Sequence, residues 1–489
     1  MAHDYDVIVI GGGAAGLTSS GLAATLGAKV LMVEAERLGG DCTWYGCVPS
    51  KTLLKAARVA HEIRHADRYG LSGSELDYSF PRMMDHVRHI REEVYQEADR
   101  PEIYENLGIE VRTGRASFVD DHTVRIEGPD KGTLTSRYIV IATGAKAFVP
   151  PIPGLSDVPY LTNETLFELE EQPRRLAIVG GGPIGTEMAQ AFARLGSEVT
   201  VVDMLDRILS RDDPEASALL RSRLERDGVS FQLGAQVAGV GTGPGGIVVR
   251  LTNGEEDLEV PADSILVATG RRANIDGLNL EAAGVETGKT GILVDDHCRT
   301  SRRHIYAVGD VTGRYQFTHM SEHMAKVAIT NALLKVPMKI DVRNVPWVTF
   351  TDPEVAHTGA TAELLQTEGR KFRTYRFPYG KVDRAVTDGD AEGFIKVHAK
   401  PSTGRILGVD IVGASAGELI SEYAVAMKNR IPMRKISDTI HPYPTYGLGA
   451  RRAADQWYVQ KQSPLLVKLL KWVFRYRGPV LEFGPDDVL

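Results

Sequence analysis

The chain has 489 residues, which is too long for one small core. Of these residues 43% are hydrophobic and 25% are charged, an ordinary composition for a globular protein. The net charge of −7 argues against a nucleic-acid partner, and three cysteines are too few for a secreted disulfide scaffold. Neither a signal peptide nor a bilayer-spanning run is recognised. We therefore expect three or more domains in a cytoplasmic protein.

A dinucleotide-binding βαβ unit is predicted at the start of the chain. Residues 5–10 read as a buried parallel strand, and a glycine fingerprint, a helix and a second strand that ends in an acid follow in order. The glycines allow the tight turn and the close approach of a pyrophosphate, and the acid accepts the ribose hydroxyls. The residues of this first fingerprint are Gly11, Gly13, Gly16 and Glu34.

Two cysteines follow the first fingerprint. Cys42 and Cys47 are separated by four residues, Gly46 lets the backbone fold back between them, and Pro49 suits the first turn of a helix. A thiol at a helix N-terminus has its thiolate favoured by the helix dipole. This pattern favours a reversible dithiol, with two ordinary reduced cysteines as the alternative.

A second copy of the fingerprint begins after another buried strand, and its acid follows the third glycine at the same spacing as in the first copy. This internal repeat predicts two dinucleotides on one chain. Asp203 favours NADH because an acid repels a 2′-phosphate, but Arg207, one turn later, leaves NADPH open. The residues of this second fingerprint are Gly180, Gly182, Gly185 and Asp203.

Three further buried strands end in short polar or glycine turns. Two end in Ala-Thr-Gly, and the third ends in Ala-Val-Gly-Asp. We expect these ends to line the nucleotide sites, with contact to a flavin ribityl chain as the interpretation for the acid. The positions concerned are Thr143, Gly144, Gly270 and Asp310.

Together these motifs resemble the FAD-dependent pyridine nucleotide–disulfide oxidoreductases, over roughly residues 5–455. The resemblance implies FAD on the first fingerprint, NAD(P)H on the second and a homodimer. It also implies that Cys47 faces the flavin, that Cys42 exchanges with substrate, and that Lys51 pairs with Glu187 beside the flavin.

The predicted fold is α/β, with two Rossmann-like dinucleotide-binding domains and a C-terminal α+β dimerisation domain. The boundaries assign residues 1–150 to the first part of the FAD-binding domain and 151–272 to the NAD(P)H-binding domain. Residues 273–343 return to the FAD-binding domain, 344–455 form the interface domain, and 456–489 form a basic amphipathic tail.

The interface domain departs from the family pattern. The family carries a His-Pro-Thr segment here, with a proton-exchanging His and a Glu five residues after it. When Pro444 is aligned with the Pro of that segment, Tyr443 takes the place of the His and Leu448 that of the Glu, and His441 lies two residues early. A Tyr hydroxyl exchanges protons poorly at neutral pH compared with His. Mercuric reductases are similar in having Tyr at this place, but their C-terminal cysteine pair is absent here. Either Tyr443 or His441 is the candidate proton exchanger.

The sequence therefore predicts an enzyme that passes electrons from NAD(P)H through FAD and the Cys42–Cys47 disulfide to a disulfide, thiol-bound or metal-ion acceptor. An NADH:quinone-type diaphorase and a redox-sensing flavoprotein are the alternatives. No resident metal is predicted, and the acceptor is not identified. Leu465 to Arg477 reads as a basic amphipathic helix, which either contacts the inner face of a membrane or docks on the protein.

Overall fold

A computed structural model describes residues 3–73, 77–243, 245–254, 257–461 and 464–480. The chain forms two compact units. Unit 1 comprises Met1–Met204 and Val229–Ile340, and unit 2 comprises Leu205–Gly228 and Asp341–Leu489. Among the described residues, no helix combines the length and the apolar character that crossing a bilayer requires.

The first nucleotide-binding fold opens unit 1. Its elements are β1 (Tyr5–Ile10), α1 (Ala14–Thr25), β2 (Val30–Glu34), α2 (Gly40–Trp44), α3 (Cys47–Arg64), α4 (Phe80–Val94), α5 (Pro101–Glu105), β3 (Glu110–Thr113), β4 (Arg115–Phe118), β5 (Thr123–Glu127), β6 (Gly132–Ile141) and β7 (Ala145–Ala147). A 3₁₀ turn, Ala66–Tyr69, follows α3, and a π-helical turn, Tyr95–Asp99, follows α4.

The second nucleotide-binding fold follows in the chain. Its elements are β8 (Tyr160–Leu161), α6 (Asn163–Leu166), β9 (Arg175–Val179), α7 (Pro183–Arg194), β10 (Glu198–Asp203), α8 (Pro214–Arg226, in unit 2), β11 (Val229–Leu233), β12 (Gln236–Gly243), β13 (Gly246–Thr252), β14 (Asp257–Ala262), β15 (Ser264–Val267) and β16 (Arg271–Ala273). A 3₁₀ turn, Leu155–Asp157, precedes β8.

The chain then returns to the first fold through β17 (Ile305–Ala307), a 3₁₀ turn (Gly309–Thr312), α9 (Thr318–Ile329) and a π-helical turn (Thr330–Leu334). Unit 2 contains β18 (Pro346–Thr349), β19 (Glu354–Gly359), α10 (Ala362–Thr367), β20 (Arg373–Pro378), a 3₁₀ turn (Tyr379–Lys381), α11 (Asp383–Thr387), β21 (Phe394–Ala399), β22 (Ile406–Gly413), α12 (Ala416–Lys428), α13 (Met433–Asp438), α14 (Gly447–Val459) and α15 (Pro464–Phe474).

Two sheets organise unit 1, and both are parallel except where β5 pairs antiparallel with β4 and β6. In the first, the strand order is β3-β2-β1-β6-β5-β4, and β17 pairs with β6 in parallel. In the second, the order is β11-β10-β9-β15-β8. Both fingerprints follow the central strand of their sheet, β1 and β9, so both nucleotide sites lie at the carboxyl edge where such folds bind ligands. The predicted pair of Rossmann-like folds is confirmed.

Unit 2 is built on an antiparallel sheet of order β18-β19-β22-β21-β20, which confirms the predicted α+β domain. A buried polar network crosses this sheet. The Asp410 carboxylate lies between two imidazoles, 2.6 Å from Nδ1 of His357 and 3.1 Å from Nε2 of His398. All three side chains are less than 5% exposed. Trp347 packs its ring 4.2 Å from that of His357.

Candidate active site

The cysteine segment is seated directly on the first fingerprint. The N–H of Gly39 donates to the carbonyl of Gly12 at 2.9 Å, and a Cβ at Gly40 would lie 2.7 Å from the Cα of Gly13. Gly39 and Gly40 have φ values of 96° and 59°, which side chains rarely adopt. Glycines at both positions therefore let α2, which carries Cys42, lie against the nucleotide-binding turn.

Cys42 and Cys47 are present as two thiols within hydrogen-bonding reach of each other. Cys47 is the first residue of α3, and its Sγ lies 3.7 Å from Oγ1 of Thr318 at the start of α9. The hydrogen bond from Cys42 lowers the pKa of Cys47 to about 6 against the effect of burial, and the charge of Lys51 lowers it further. The same hydrogen bond, together with burial, raises the pKa of Cys42.

A buried ion pair connects the cysteine helix to the second nucleotide fold. Lys51, one turn after Cys47 on α3, donates to Oε2 of Glu187 on α7 at 2.8 Å. The Glu187 side chain is only 5% exposed, so its charge is largely removed from water. Unpaired, such a charge would be costly to bury. The structure thus brings Cys42, Cys47, Lys51 and Glu187 into one contiguous region.

The two fingerprints have the same geometry. The N–H of Gly12 donates to Glu34, and the N–H of Gly181 donates to Asp203, each at 2.6 Å. Burial raises the pKa of Glu34. Close packing explains the outer glycines of each fingerprint. A Cβ at Gly16 would lie 1.8 Å from the carbonyl oxygen of Gly11, and one at Gly185 would lie 1.9 Å from that of Gly180.

The middle glycine of each fingerprint has a different environment. A Cβ at Gly182 would have no atom within 4 Å, and one at Gly13 would meet only the Cα of Gly40, at 3.6 Å. These two positions therefore keep the turn open toward a ligand, as a pyrophosphate cradle requires. The residues present thus fit a dinucleotide on each fold.

The remaining predicted positions lie at the carboxyl ends of the strands. Oγ1 of Thr143 donates to the carbonyl of Asn274 at 2.7 Å, and the adjacent Gly144 has a φ of 69°. Gly270 has a φ of 141°. Burial raises the pKa of Asp310 to about 6, although the charge of Arg271 lowers it.

Arg271 was missed by the sequence reasoning. Its Nη1 lies 3.1 Å from the carboxylate of Asp41, beside Cys42, and its Nε lies 3.6 Å from that of Asp310. Asn163 also donates to Asp41, at 2.9 Å. Arg271 therefore connects the cysteine segment to the strand end that carries Asp310. In the sequence, Arg271 was indicated only by its position directly after Ala-Thr-Gly. No sequence pattern indicated Thr318, which lies beside Cys47.

The two candidate proton exchangers of unit 2 differ in their surroundings. His441 has Nε2 at 3.0 Å from Oε1 of Glu422 and Nδ1 at 3.0 Å from the carbonyl of Thr439. Its side chain is 9% exposed. Tyr443, in contrast, is 68% exposed, and a hydrogen bond to Asp383 raises its pKa. His441 is thus held by Glu422 and Thr439, whereas the Tyr443 side chain is mostly exposed and its hydroxyl interacts with Asp383.

A dithiol that lies against one dinucleotide fingerprint, beside a lysine that is ion-paired to the helix of a second, defines a nucleotide-dependent dithiol oxidoreductase. The family model described as pyridine nucleotide-disulphide oxidoreductase matches residues 5–325, and that of the family's dimerisation domain matches residues 345–453. The chain belongs to this family. It is therefore an FAD-dependent NAD(P)H oxidoreductase, and its dimerisation domain supports a homodimer.

Known relatives agree on the family and differ in the activity that their names state. The chain is 36% identical to a mercuric reductase of Staphylococcus aureus over 457 residues, covering 92% of this chain and 82% of that protein. It is 34% identical to a dihydrolipoyl dehydrogenase of Chlamydia muridarum over 454 residues, covering 91% and 95%. The crystal structure of LpdA from Mycobacterium tuberculosis matches with a TM-score of 0.86 at 28% identity, covering 92% and 99%.

Proposed function

We propose that the protein is a mercuric-reductase-like flavoprotein disulfide reductase. Electrons from NADH reach the Cys42–Cys47 disulfide, and the resulting dithiol reduces a disulfide, a thiol-bound group or a metal ion. The observation that carries this proposal is the dithiol itself. Cys47, the first residue of α3, has a pKa lowered to about 6, and Cys42 has a raised pKa. The same helix carries Lys51, which pairs with Glu187.

The two cysteines have separate tasks in this proposal. Bound FAD supplies two-electron transfer between the nicotinamide and the sulfur pair. Cys47 holds the thiolate because Cys42 donates a hydrogen bond to it and Lys51 supplies a positive charge. Cys42 keeps its proton near neutral pH because its pKa is raised. Its attack on an acceptor therefore requires transfer of that proton.

A disulfide acceptor would be reduced by two successive thiol–disulfide exchanges. The sulfur of Cys42 attacks one acceptor sulfur, the acceptor S–S bond breaks, and the first thiolate leaves and takes up a proton. The thiolate of Cys47 then attacks the sulfur of Cys42 in the mixed disulfide. The second acceptor thiolate leaves and the Cys42–Cys47 disulfide is restored.

An anaerobic titration with NADH tests this proposal. The FAD-loaded protein is expected to take up two equivalents of NADH per chain, one for the flavin and one for the disulfide, and the Cys42→Ser/Cys47→Ser variant only one. The variant should also lose disulfide and Hg²⁺ reduction. Cys298→Ser is the matched control, since this cysteine is buried elsewhere. Equal NADH uptake by the wild type and the double variant would overturn the proposal. If the variant takes up only one equivalent of NADH but still reduces a quinone as fast as the wild type, the diaphorase is indicated.

We also propose NADH as the preferred nucleotide. Asp203 ends β10 in the position that accepts ribose hydroxyls, and Arg207 donates to the carbonyl of Ser210 at 2.8 Å. Asp203→Asn is expected to lower kcat/KM for NADH about tenfold, because a hydrogen bond to a charged acceptor contributes about 1.5–3 kcal/mol. NADPH should be affected less. Steady-state kinetics with both nucleotides measures this, and Asp206→Asn, exposed and near in sequence, should leave the NADH value unchanged.

A peripheral membrane contact through α15 is a further part of the proposal. The apolar side chains of α15 are exposed, with Leu465 at 77% and Trp472 at 79%. Residues 464–480 carry four basic and no acidic residues, although the whole chain is negative. Lys468 and Lys471 lie on one side of the helix, opposite Leu466, Leu469, Leu470 and Val473. Such a helix suits an anionic membrane surface.

Vesicle flotation tests the membrane contact. The protein is expected to float with phosphatidylglycerol vesicles and to stay behind with phosphatidylcholine vesicles, because binding combines apolar burial with charge attraction. Lys468→Glu/Lys471→Glu should abolish flotation, whereas Lys371→Glu/Lys435→Glu makes the same change of charge on exposed positions and should have little effect. Equal flotation of both variants would contradict the role of α15.

A further inference from the structure

Three histidines from distant parts of the chain come together at the amino edge of the first sheet. We call His3, His122 and His304 the histidine stack. His3 precedes β1, His122 lies between β4 and β5, and His304 directly precedes β17. The ring centroids of His3 and His122 are 4.8 Å apart, and those of His122 and His304 are 4.0 Å apart. The nucleotide sites lie at the opposite, carboxyl edge of this sheet.

Hydrogen bonds to backbone carbonyls identify one ring nitrogen of His122 and one of His304 as a donor. Nδ1 of His122 lies 2.7 Å from the carbonyl oxygen of Ser136, and Nε2 of His304 lies 2.7 Å from that of Asp121. A carbonyl oxygen can only accept, so these nitrogens carry the protons. In the neutral rings, Nε2 of His122 and Nδ1 of His304 then carry lone pairs. Metal-bound histidines are held in this way, with the second nitrogen donating to a carbonyl or a carboxylate.

A carboxylate lies beside the group, with Oδ2 of Asp121 at 3.9 Å from Nε2 of His304, the nitrogen that donates to the Asp121 carbonyl. One potential ligand atom from each of Asp121, His122 and His304 lies within 4.8 Å of the other two. The Asp121 side chain is 41% exposed and that of His304 is 20% exposed, so the group is accessible from solvent. The neighbouring Asp120 is occupied differently, since its carboxylate accepts from the backbone N–H of His122 and from Thr123.

We propose that Asp121, His122 and His304 bind a divalent transition-metal ion of the Zn²⁺ type, with His3 as a fourth donor at the exposed rim. Imidazole nitrogens with one carboxylate suit Zn²⁺, Cu²⁺ and Ni²⁺ and do not suit Mg²⁺ or Ca²⁺. The site lies at the edge opposite the dithiol, so its ion would be bound in addition to any metal reduced there.

Binding requires a local rearrangement of the rings. A metal ion lies close to the plane of each imidazole that binds it, at about 2.0–2.1 Å from the nitrogen. The rings of His122 and His304 are nearly parallel, with 11° between their planes. The two rings must therefore rotate out of their stack, while Asp121 turns toward the ion. Metal binding is therefore expected to separate the stacked rings of His122 and His304.

Zn²⁺ titration calorimetry tests the proposal. The experiment uses the FAD-loaded full chain without an added histidine tag, in a Cys42→Ser/Cys47→Ser background so that the dithiol does not compete. One Zn²⁺ per chain should bind, and His122→Ala or His304→Ala should each weaken binding tenfold or more. Asp121→Asn, which preserves shape, should also weaken it. His89→Ala removes an exposed histidine on α4 and should change nothing.

The outcomes distinguish a site from a packing contact. Retained FAD content and an unchanged thermal midpoint show whether each variant is folded. Proton NMR of the histidine ring signals should show two rings shifting together on Zn²⁺ addition. Absence of stoichiometric binding would overturn the proposal. Equal weakening in His89→Ala, or binding unaffected by both Asp121→Asn and a folded His122→Ala, would do the same.

Discussion

The Tyr443→Phe variant is expected to reoxidise its reduced dithiol about 10²-fold more slowly than the wild type, while NADH reduces its flavin at an unchanged rate. The phenol of Tyr443 is protonated at neutral pH because a Tyr hydroxyl has an ordinary pKa of about 10, which a hydrogen bond to Asp383 raises further. The hydroxyl can therefore donate a proton to the leaving thiolate. A positioned proton donor typically contributes about 10²–10⁴ in rate. Stopped-flow measurement of the two half-reactions, with a disulfide as acceptor, checks this.

His441→Gln is the matched comparison for Tyr443→Phe. Both nitrogens of His441 face oxygens of its own unit, those of Glu422 and Thr439, so its loss should slow the dithiol half-reaction less than threefold, about 0.6 kcal/mol. Two results would contradict the assignment of Tyr443. One is an equal loss in both half-reactions of Tyr443→Phe, and the other is a larger effect of His441→Gln.

The Asp410→Asn variant is expected to lose about 3–5 kcal/mol in the free energy of unfolding of unit 2, the usual effect of removing one partner from a buried ion pair. Asp410 joins His357 on β19 to His398 on β21, and all three side chains are buried. Urea unfolding followed by tryptophan fluorescence is suitable because Trp347 packs on His357. Glu368→Gln, which breaks an exposed pair with Arg370, should lose less than about 1 kcal/mol.

The difference between the wild type and Asp410→Asn should depend on pH. Burial opposes ionisation of Asp410, but the two histidines lower its pKa below its ordinary value of 3.8. This stabilisation is therefore present above pH 3.8 and is lost as the pH falls through the folded value. Burial likewise opposes protonation of His357, but Asp410 raises its pKa above 6.5. That stabilisation is present below pH 6.5 and is lost as the pH rises through the folded value.

The difference in stability should accordingly be largest between about pH 4 and 6.5 and should shrink on either side. Urea midpoints at pH 5, 7 and 9 would show this trend. A difference that stays constant from pH 5 to pH 9 would mean that neutral histidines hold Asp410 by hydrogen bonds alone.

Local sequence patterns were sufficient to predict the nucleotide folds. Each fingerprint places its glycines, its helix and its acid within one short segment, so the contacts of Gly11 with Gly16 and of Gly180 with Gly185 depend on local geometry. Cys42 and Cys47 were predictable for the same reason, since four residues separate them.

Contacts between distant segments could not be predicted from such patterns. Arg271 reaches Asp41 across some 230 positions of chain, and Thr318 reaches Cys47 across 271. Glu422 lies beside His441, whereas the family pattern places the acid five residues after the position of Tyr443. The histidine stack joins residues 3, 122 and 304, which no spacing rule connects. In each case the packing of whole elements brings the side chains together.

The Lys51–Glu187 pair also limits how this chain can be recombined with its relatives. The second nucleotide fold is inserted between β6 and β17, which are adjacent strands of the first sheet. A segment inserted in this way is a natural unit for grafting between homologues. Glu187 belongs to that segment and Lys51 does not. A grafted nucleotide fold would therefore remove this partner of Lys51 unless its own helix carried a carboxylate at the matching position.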